Sequence, residues 1–180
     1  MSGGGIVVGR VTEADLPALH GLIERAYRGD TARAGWTHEA DLLGGQRTDL
    51  DALSAMLADP EQRLLVARDG AALIGCVALQ RIGGDRCYLG LLTVEPTLQA
   101  TGLGRRLLAE AEAAAREWGM TFVEMTVIAR RRELVAWYER RGYRLTGERR
   151  PFPIDDPRFG LPKTGDLEFV VLEKHLGGDR

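Results

Sequence analysis

Cysteine and histidine are scarce in this chain, with 2 and 3 copies in 180 residues. His20, His38 and His175 are scattered, and no cluster has metal-ligand spacing, so no metal site is expected. Cys76 and Cys87 fall on neighbouring strands of one expected hairpin. Counting outward from the turn Gly83-Gly84-Asp85 sets Cys87 opposite the neighbourhood of Arg81 and not Cys76. Two reduced, structural thiols in a cytoplasmic protein are therefore expected. No apolar run approaches the length of a membrane span, and Met1-Ser2-Gly3-Gly4-Gly5 has the pattern of neither a signal nor a transit peptide. An excess of either charge is also missing: the formal net charge is -2, which argues against a general nucleic-acid binder. What remains is ordinary globular composition, 44% hydrophobic and 28% charged. Residues 1–180 are long enough to bury one core and are read as a single domain.

The pattern along the chain alternates without repeats or linkers. Ile6 to Val11 reads as a strand, and Thr12-Glu13-Ala14-Asp15 caps a helix that turns Leu16, Leu19, Ile23 and Ala26 inward. The stretch from Arg28 to Asp49 reads as a loop with one short helical turn. Asp49 caps a helix through Leu50, Leu53 and Leu57 that Pro60 ends. Leu64–Ala67 and Ala72–Leu79 form a hairpin around Asp69-Gly70, and Cys87–Val94 adds a third antiparallel strand. A helix over Arg105–Trp118 stops at Gly119, and Phe122–Val127 follows as a buried strand. Strands at Tyr143–Gly147 and Leu167–Leu172 close the chain. The fold class is α/β in the α+β sense: a mixed, mostly antiparallel sheet flanked by about four helices.

The stretch Leu91-Leu92-Thr93-Val94-Glu95-Pro96-Thr97-Leu98-Gln99-Ala100-Thr101-Gly102-Leu103-Gly104-Arg105 runs from a strand end into a helix with no Ser, Thr, Asp or Asn cap. Backbone N–H groups are thus left outward at the positive end of a helix dipole. Gly102 and Gly104 let an anion approach the backbone, and a pyrophosphate suits the site. A P-loop would need Lys and then Ser or Thr where Arg105 and Arg106 stand. A dinucleotide fingerprint would need a third glycine at Leu107, although Glu124 lies at a tolerable distance for a ribose contact.

The segment Gln99-Ala100-Thr101-Gly102-Leu103-Gly104 resembles the acetyl-CoA loop of the GCN5-related N-acetyltransferase (GNAT) superfamily. A second motif strengthens the likeness: Glu133-Leu134-Val135-Ala136-Trp137-Tyr138-Glu139-Arg140-Arg141-Gly142-Tyr143. Leu134, Trp137, Tyr138 and Arg141 recur at helical spacing, and Gly142 is placed to stop the helix. The resemblance is good over about Leu64 to Glu148. It implies the acyltransferase fold of that superfamily, acetyl-CoA as co-substrate, and transfer of the acetyl group to a primary amine. In the superfamily a tyrosine at the place of Tyr138 sits near the thioester sulfur.

Acyl transfer to an amine sets three requirements. The amide-bearing pantetheine arm can dock like an added strand, and Leu92, Thr93 and Val94 are the expected edge, with Gly90 marking a bulge or bend. The pyrophosphate needs the amides of Gln99, Ala100, Thr101, Gly102, Leu103, Gly104 and Arg105, with Arg105 adding charge. The leaving thiolate needs a proton, for which the resemblance implies Tyr138. Two departures stand out. Arg131 occupies the place where many members carry asparagine, and no glutamate lies in Cys87-Tyr88-Leu89-Gly90, where some members have their base. Glu95 and Glu124 are the nearby carboxylates, and neither is assigned that role.

Acceptor choice is expected in the variable parts. Trp36, with Glu39 and Asp41 after it, could line an amine pocket, as could Tyr88. Pro151 to Pro162 holds four of the seven prolines and reads as a stiff lid carrying Phe152 and Phe159. The acceptor itself, a small-molecule amine or a peptide amine, stays open, as does a homodimer. Two other functions remain: a non-catalytic CoA-binding sensor, and a dinucleotide-dependent oxidoreductase using Gly102-Leu103-Gly104 and Glu124.

Overall fold

The computed structural model describes residues 5–27, 43–44, 48–99, 101–151, 161–162 and 167–177. The order of elements is β1 (Val7–Arg10), α1 (Leu16–Tyr27), β2 (Leu43–Gly44), α2 (Leu50–Ala58), β3 (Gln62–Asp69), β4 (Ala72–Gly83) and β5 (Arg86–Val94). Then come α3 (Leu103–Glu117), β6 (Phe122–Ile128), α4 (Arg132–Glu139), β7 (Arg144–Pro151), β8 (Leu161–Pro162) and β9 (Glu168–His175). Seven strands form one sheet in the order β1-β3-β4-β5-β6-β9-β7, while β2 and β8 pair separately. Every neighbouring pair in the large sheet is antiparallel except β5 with β6.

Local signals set most boundaries. The Thr12 amide donates to the Asp15 carboxylate at 2.8 Å, completing a capping box ahead of α1. Asp49 caps α2 by accepting from the Ala52 amide at 2.7 Å. Gly119 (φ +84°) and Gly142 (φ +93°) take the left-handed conformation that ends α3 and α4.

The sheet divides two apolar layers. On one face Leu19, Leu22 and Ile23 of α1 and Leu53 of α2 pack on Val66, Cys76 and Ala78. On the other, Leu107, Leu108, Ala111 and Ala115 of α3 and Tyr138 of α4 pack on Val77, Leu79, Leu89, Val123 and Leu172. Each fully buried leucine contributes about 1.5–3 kcal/mol. Gly75 brings α3 close to the sheet, since a Cβ there would lie 2.6 Å from Leu107 Cδ1 and 2.9 Å from the Thr93 carbonyl.

Leu50 is 46% exposed because it lies at the first position of α2, beyond the stripe centred on Leu53. Two expectations change. Gly104 lies inside α3 and does not precede it, as Gly102 with φ +89° already serves as the N-cap. Within the expected loop over Arg28 to Asp49, Leu43 and Gly44 pair antiparallel with Pro162 and Leu161. Two residues from each of the stretches expected as loops are thereby paired through backbone. Cys87 pairs with Arg81 as expected, and both cysteines are buried and outside any disulfide.

Candidate active site

The site begins where two parallel strands part. The ladder between β5 and β6 holds only Arg86↔Phe122, Cys87↔Val123 and Tyr88↔Glu124. Past Tyr88 the strands separate. The cause lies on the other side of β5: between Ala78↔Gly90 and Cys76↔Thr93, Leu91 and Leu92 together face the single residue Val77. Leu91 carries φ +52°, the one left-handed non-glycine residue among those described. A bulge was expected at Gly90; its strained residue is Leu91, one position on. Such a conformation costs of order 1–3 kcal/mol and concentrates at functional sites.

The extra residue exchanges the two faces of β5. Before it, Cys87 and Leu89 face the α3 layer; after it, Leu91 faces the α1 layer while Leu92 and Val94 pack toward α3. Thr93 is buried, and its hydroxyl donates to the Leu91 carbonyl at 2.8 Å. Of the expected pantetheine edge, Leu92 and Val94 therefore offer side chains to the α3 face, and Thr93 offers backbone alone.

A cleft of about 140 Å³ fills the gap between the strands, lined by Leu92, Met125, Thr126, Arg131, Leu134 and Tyr138 among others. Tyr138 is 6% exposed, in edge-to-face contact with Trp137 (5.0 Å) and Tyr143 (5.7 Å). Arg131, at the place where many members of the superfamily carry asparagine, is the N-cap residue of α4 and lines the same cleft.

At the far end of β5 stands the start of α3. No side chain caps this helix, so the amides of Leu103, Gly104 and Arg105 lack partners from the preceding turn. Gly104 lies beside both neighbouring elements: a Cβ there would stand 3.7 Å from Val94 and 3.6 Å from Trp137. Leu103 is buried and anchors the turn, while Thr101, Gly102 and Arg105 are exposed. The Thr101 hydroxyl donates to the Leu98 carbonyl at 2.5 Å, and Gln99 Nε2 donates to the Val94 carbonyl at 3.4 Å. These bonds tie Gln99 back to the end of β5 and Thr101 back to the turn before it. An uncapped helix start with glycines at the N-cap and second position fits a pyrophosphate. Arg141 stacks on Trp137 at 3.8 Å, and burial, then the charges of Arg105 and Arg140, push its pKa down.

On the opposite face of the sheet a cavity of about 510 Å³ is lined by Asp49, Gln62, Gln80, Tyr88, Gly90 and Leu91 among others. Tyr88, Gly90 and Leu91 border both this cavity and the cleft. The Tyr88 hydroxyl lies 2.6 Å from Thr126 Oγ1 across the strand gap. No signal in the sequence marked the α2 side of this cavity, because its lining converges from elements far apart in the chain. Trp36, Ala100 and Phe152, with Glu39, Asp41 and Phe159, lie outside the described residues.

The candidate bases are engaged. Glu95 pairs with Arg25 at 2.9 Å, and Glu124 lies 3.4 Å from Arg150 and 3.9 Å from Arg86. Among the described residues, no group of three His, Cys, Asp or Glu side chains could hold a metal, and no helix is long and apolar enough to cross a membrane.

Comparisons with known proteins agree with this geometry. IAA acetyltransferase from Azospirillum brasilense is 31% identical over 101 residues, covering 55% of this chain. The match spans 65% of that relative's length, just under two thirds. The ribosomal-protein-S18-alanine N-acetyltransferase from Escherichia coli superposes with a TM-score of 0.71 at 15% identity, over 98% of this chain and 97% of that one. The protein yncA from Salmonella typhimurium, solved with its cofactor acetyl-CoA, gives 0.72 at 17% identity, over 98% and 96%. A family model described as an acetyltransferase (GNAT) domain matches residues 38–152, well over half of the chain, and the chain belongs to that family.

Proposed function

We propose that this protein is an N-acetyltransferase that moves the acetyl group of acetyl-CoA to a primary amine by direct attack on the thioester. One observation carries the reading: the parting of β5 from β6 leaves a strand edge that runs from Tyr138 to the uncapped start of α3. Acetyl-CoA brings an acyl thioester, from which an amine takes the acetyl group, losing one proton while the departing sulfur gains one.

The chain supplies the rest. The amides of Leu103, Gly104 and Arg105 hold the pyrophosphate, with Gln99, Thr101 and Gly102 shaping the turn. The backbone of Leu92, Thr93 and Val94 on the side facing β6 receives the pantetheine amides as an added strand. Tyr138 holds a proton at its phenolic oxygen in the cleft, where a general acid is wanted. The acceptor enters from the α2 side, over the bulge at Gly90 and Leu91, and Asp49 is the carboxylate on its path. Since Glu95 and Glu124 are held by arginines, the amine loses its proton through water or arrives neutral.

The E. coli relative acts on a ribosomal-protein alanine and the Azospirillum relative on IAA, so the acceptor class must come from the cavity itself. A panel of small amines and peptide amino termini, with free CoA as the readout, separates an enzyme from a CoA-binding sensor. For an accepted amine, Tyr138→Phe is expected to lower kcat about 10- to 100-fold with little change in the KM for acetyl-CoA. Unaltered turnover per folded molecule would show that the hydroxyl is structural only.

A further inference from the structure

Glu112 occupies a position in α3 where the helix is otherwise apolar. It is 7% exposed, and its neighbours Leu108, Ala111 and Ala115 belong to the core. Its carboxylate accepts from Lys174 Nζ at 3.0 and 3.1 Å and from the Tyr143 hydroxyl at 3.1 Å. Lys174, on β9, gives a further hydrogen bond to the Arg141 carbonyl at 2.9 Å. That carbonyl is one of those left over where α4 ends. All three donors of the ammonium are thus used.

The cluster is more than a satisfied ion pair. It joins α3, whose first turn is the phosphate site, to the end of α4, which carries Tyr138. Tyr143 extends the connection: its amide donates to the Tyr138 carbonyl at 3.2 Å, and the two rings meet edge to face. Burial, then the nearby Glu112 charge, keeps the Tyr143 hydroxyl protonated and therefore a donor. None of Glu112, Tyr143 and Lys174 is among the residues lining the cleft. Buried ion pairs add little net stability over apolar replacements, so geometry is the better account of this one.

We propose that Glu112 and Lys174 are positioning residues: their ion pair pins the end of α4 to α3 and so sets where the Tyr138 hydroxyl stands relative to the phosphate loop. The kinetic consequence rests on the acid role of Tyr138 proposed above; the positioning itself does not. The double variant Glu112→Leu/Lys174→Met removes both charges at similar volume and is expected to stay folded. In protein labelled with ¹³C-tyrosine, the Tyr138 ring resonance, assigned with Tyr138→Phe, should shift or broaden. Turnover should fall about 10- to 100-fold while the KM for acetyl-CoA moves less than about threefold. Tyr143→Phe, which removes one donor and nothing else, should move the resonance in the same direction by less. That variant decides the matter if the double variant fails to fold.

An unmoved Tyr138 resonance in a folded variant overturns the proposal, whatever turnover does. An equal loss of turnover when the double variant is made on the Tyr138→Phe background overturns the kinetic consequence, because the pair would then act on turnover elsewhere. A moved resonance with unchanged turnover upholds the positioning and overturns the acid role instead.

Discussion

Tyr88 and Glu124 are the last paired residues of the only parallel ladder in the sheet, and the site opens directly beyond them. Tyr88 also spans the gap to Thr126 at 2.6 Å, at the inner end of the cleft. Pairing on one side of this point and separation on the other give the strand edge on which the proposed co-substrate docks.

Gly104 tests the phosphate end of that edge. A Cβ meets Val94 and Trp137 at ordinary contact distances, so Gly104→Val should remain folded. The added γ-methyls cover the amides of the first turn. Calorimetric titration should show acetyl-CoA affinity reduced by about tenfold or more, the worth of one or two charge-assisted hydrogen bonds. Unchanged affinity in the folded variant would remove the loop assignment.

Gly75 is a stability test on the β4 side of the proposed pantetheine edge, where it pairs with Val94. Gly75→Ala sets a Cβ 2.6 Å from Leu107 and 2.9 Å from the Thr93 carbonyl, and the backbone partner has little room to move. A loss of about 1–3 kcal/mol is expected from overpacking, read as a lower urea midpoint at unchanged slope.

Acid should weaken one specific anchor. Arg68 donates to both Asp15 oxygens, at 2.9 and 2.5 Å, and its hydrogen bonds hold the Asp15 carboxyl well below the usual carboxylate range. A carboxyl with a lower pKa folded than unfolded stabilises the protein above its unfolded value near pH 4, and loses that contribution as pH falls toward the folded value. Asp15→Asn should cost about 1–2 kcal/mol at pH 7. Denaturation curves at successively lower pH should show that difference shrinking below about pH 4. A difference independent of pH would mean that the ion pair is not its source.

The two thiols should be inert. Burial pushes the Cys87 pKa up to about 11, and Cys76 is fully buried beneath α1 and α2. Alkylation at pH 8 should modify neither in the native protein and both in denaturant. Rapid native labelling would show that one of these layers opens.

What could be read from the residues was what is local. Asp49, the Thr12–Asp15 box, Gly119 and Gly142 act within one helical turn, and each marks its helix end as expected. The entry into α3 was legible because Gly102 and Gly104 lie in a short run ahead of an amphipathic helix, and Gly102 is its N-cap. Other features depend on distant partners. Leu91 is left-handed because β4 and β5 pair around it, and nothing in a leucine announces that. Glu112 owes its place in the core to Lys174, 62 residues away, which no local pattern marks. The room at Gly75 is defined by Leu107, on an element that packs across the sheet face.

The short pairing of Leu43–Gly44 with Leu161–Pro162 has a consequence for redesign. It joins two residues from each of the stretches in which acceptor choice was expected, and it lies outside the seven-stranded sheet on which the proposed donor site sits. Their backbones supply each other's hydrogen bonds. A transplant of either stretch alone from a relative would strand the other's amides and carbonyls. The expected consequence is that the two are swapped together, with the proposed donor half left untouched.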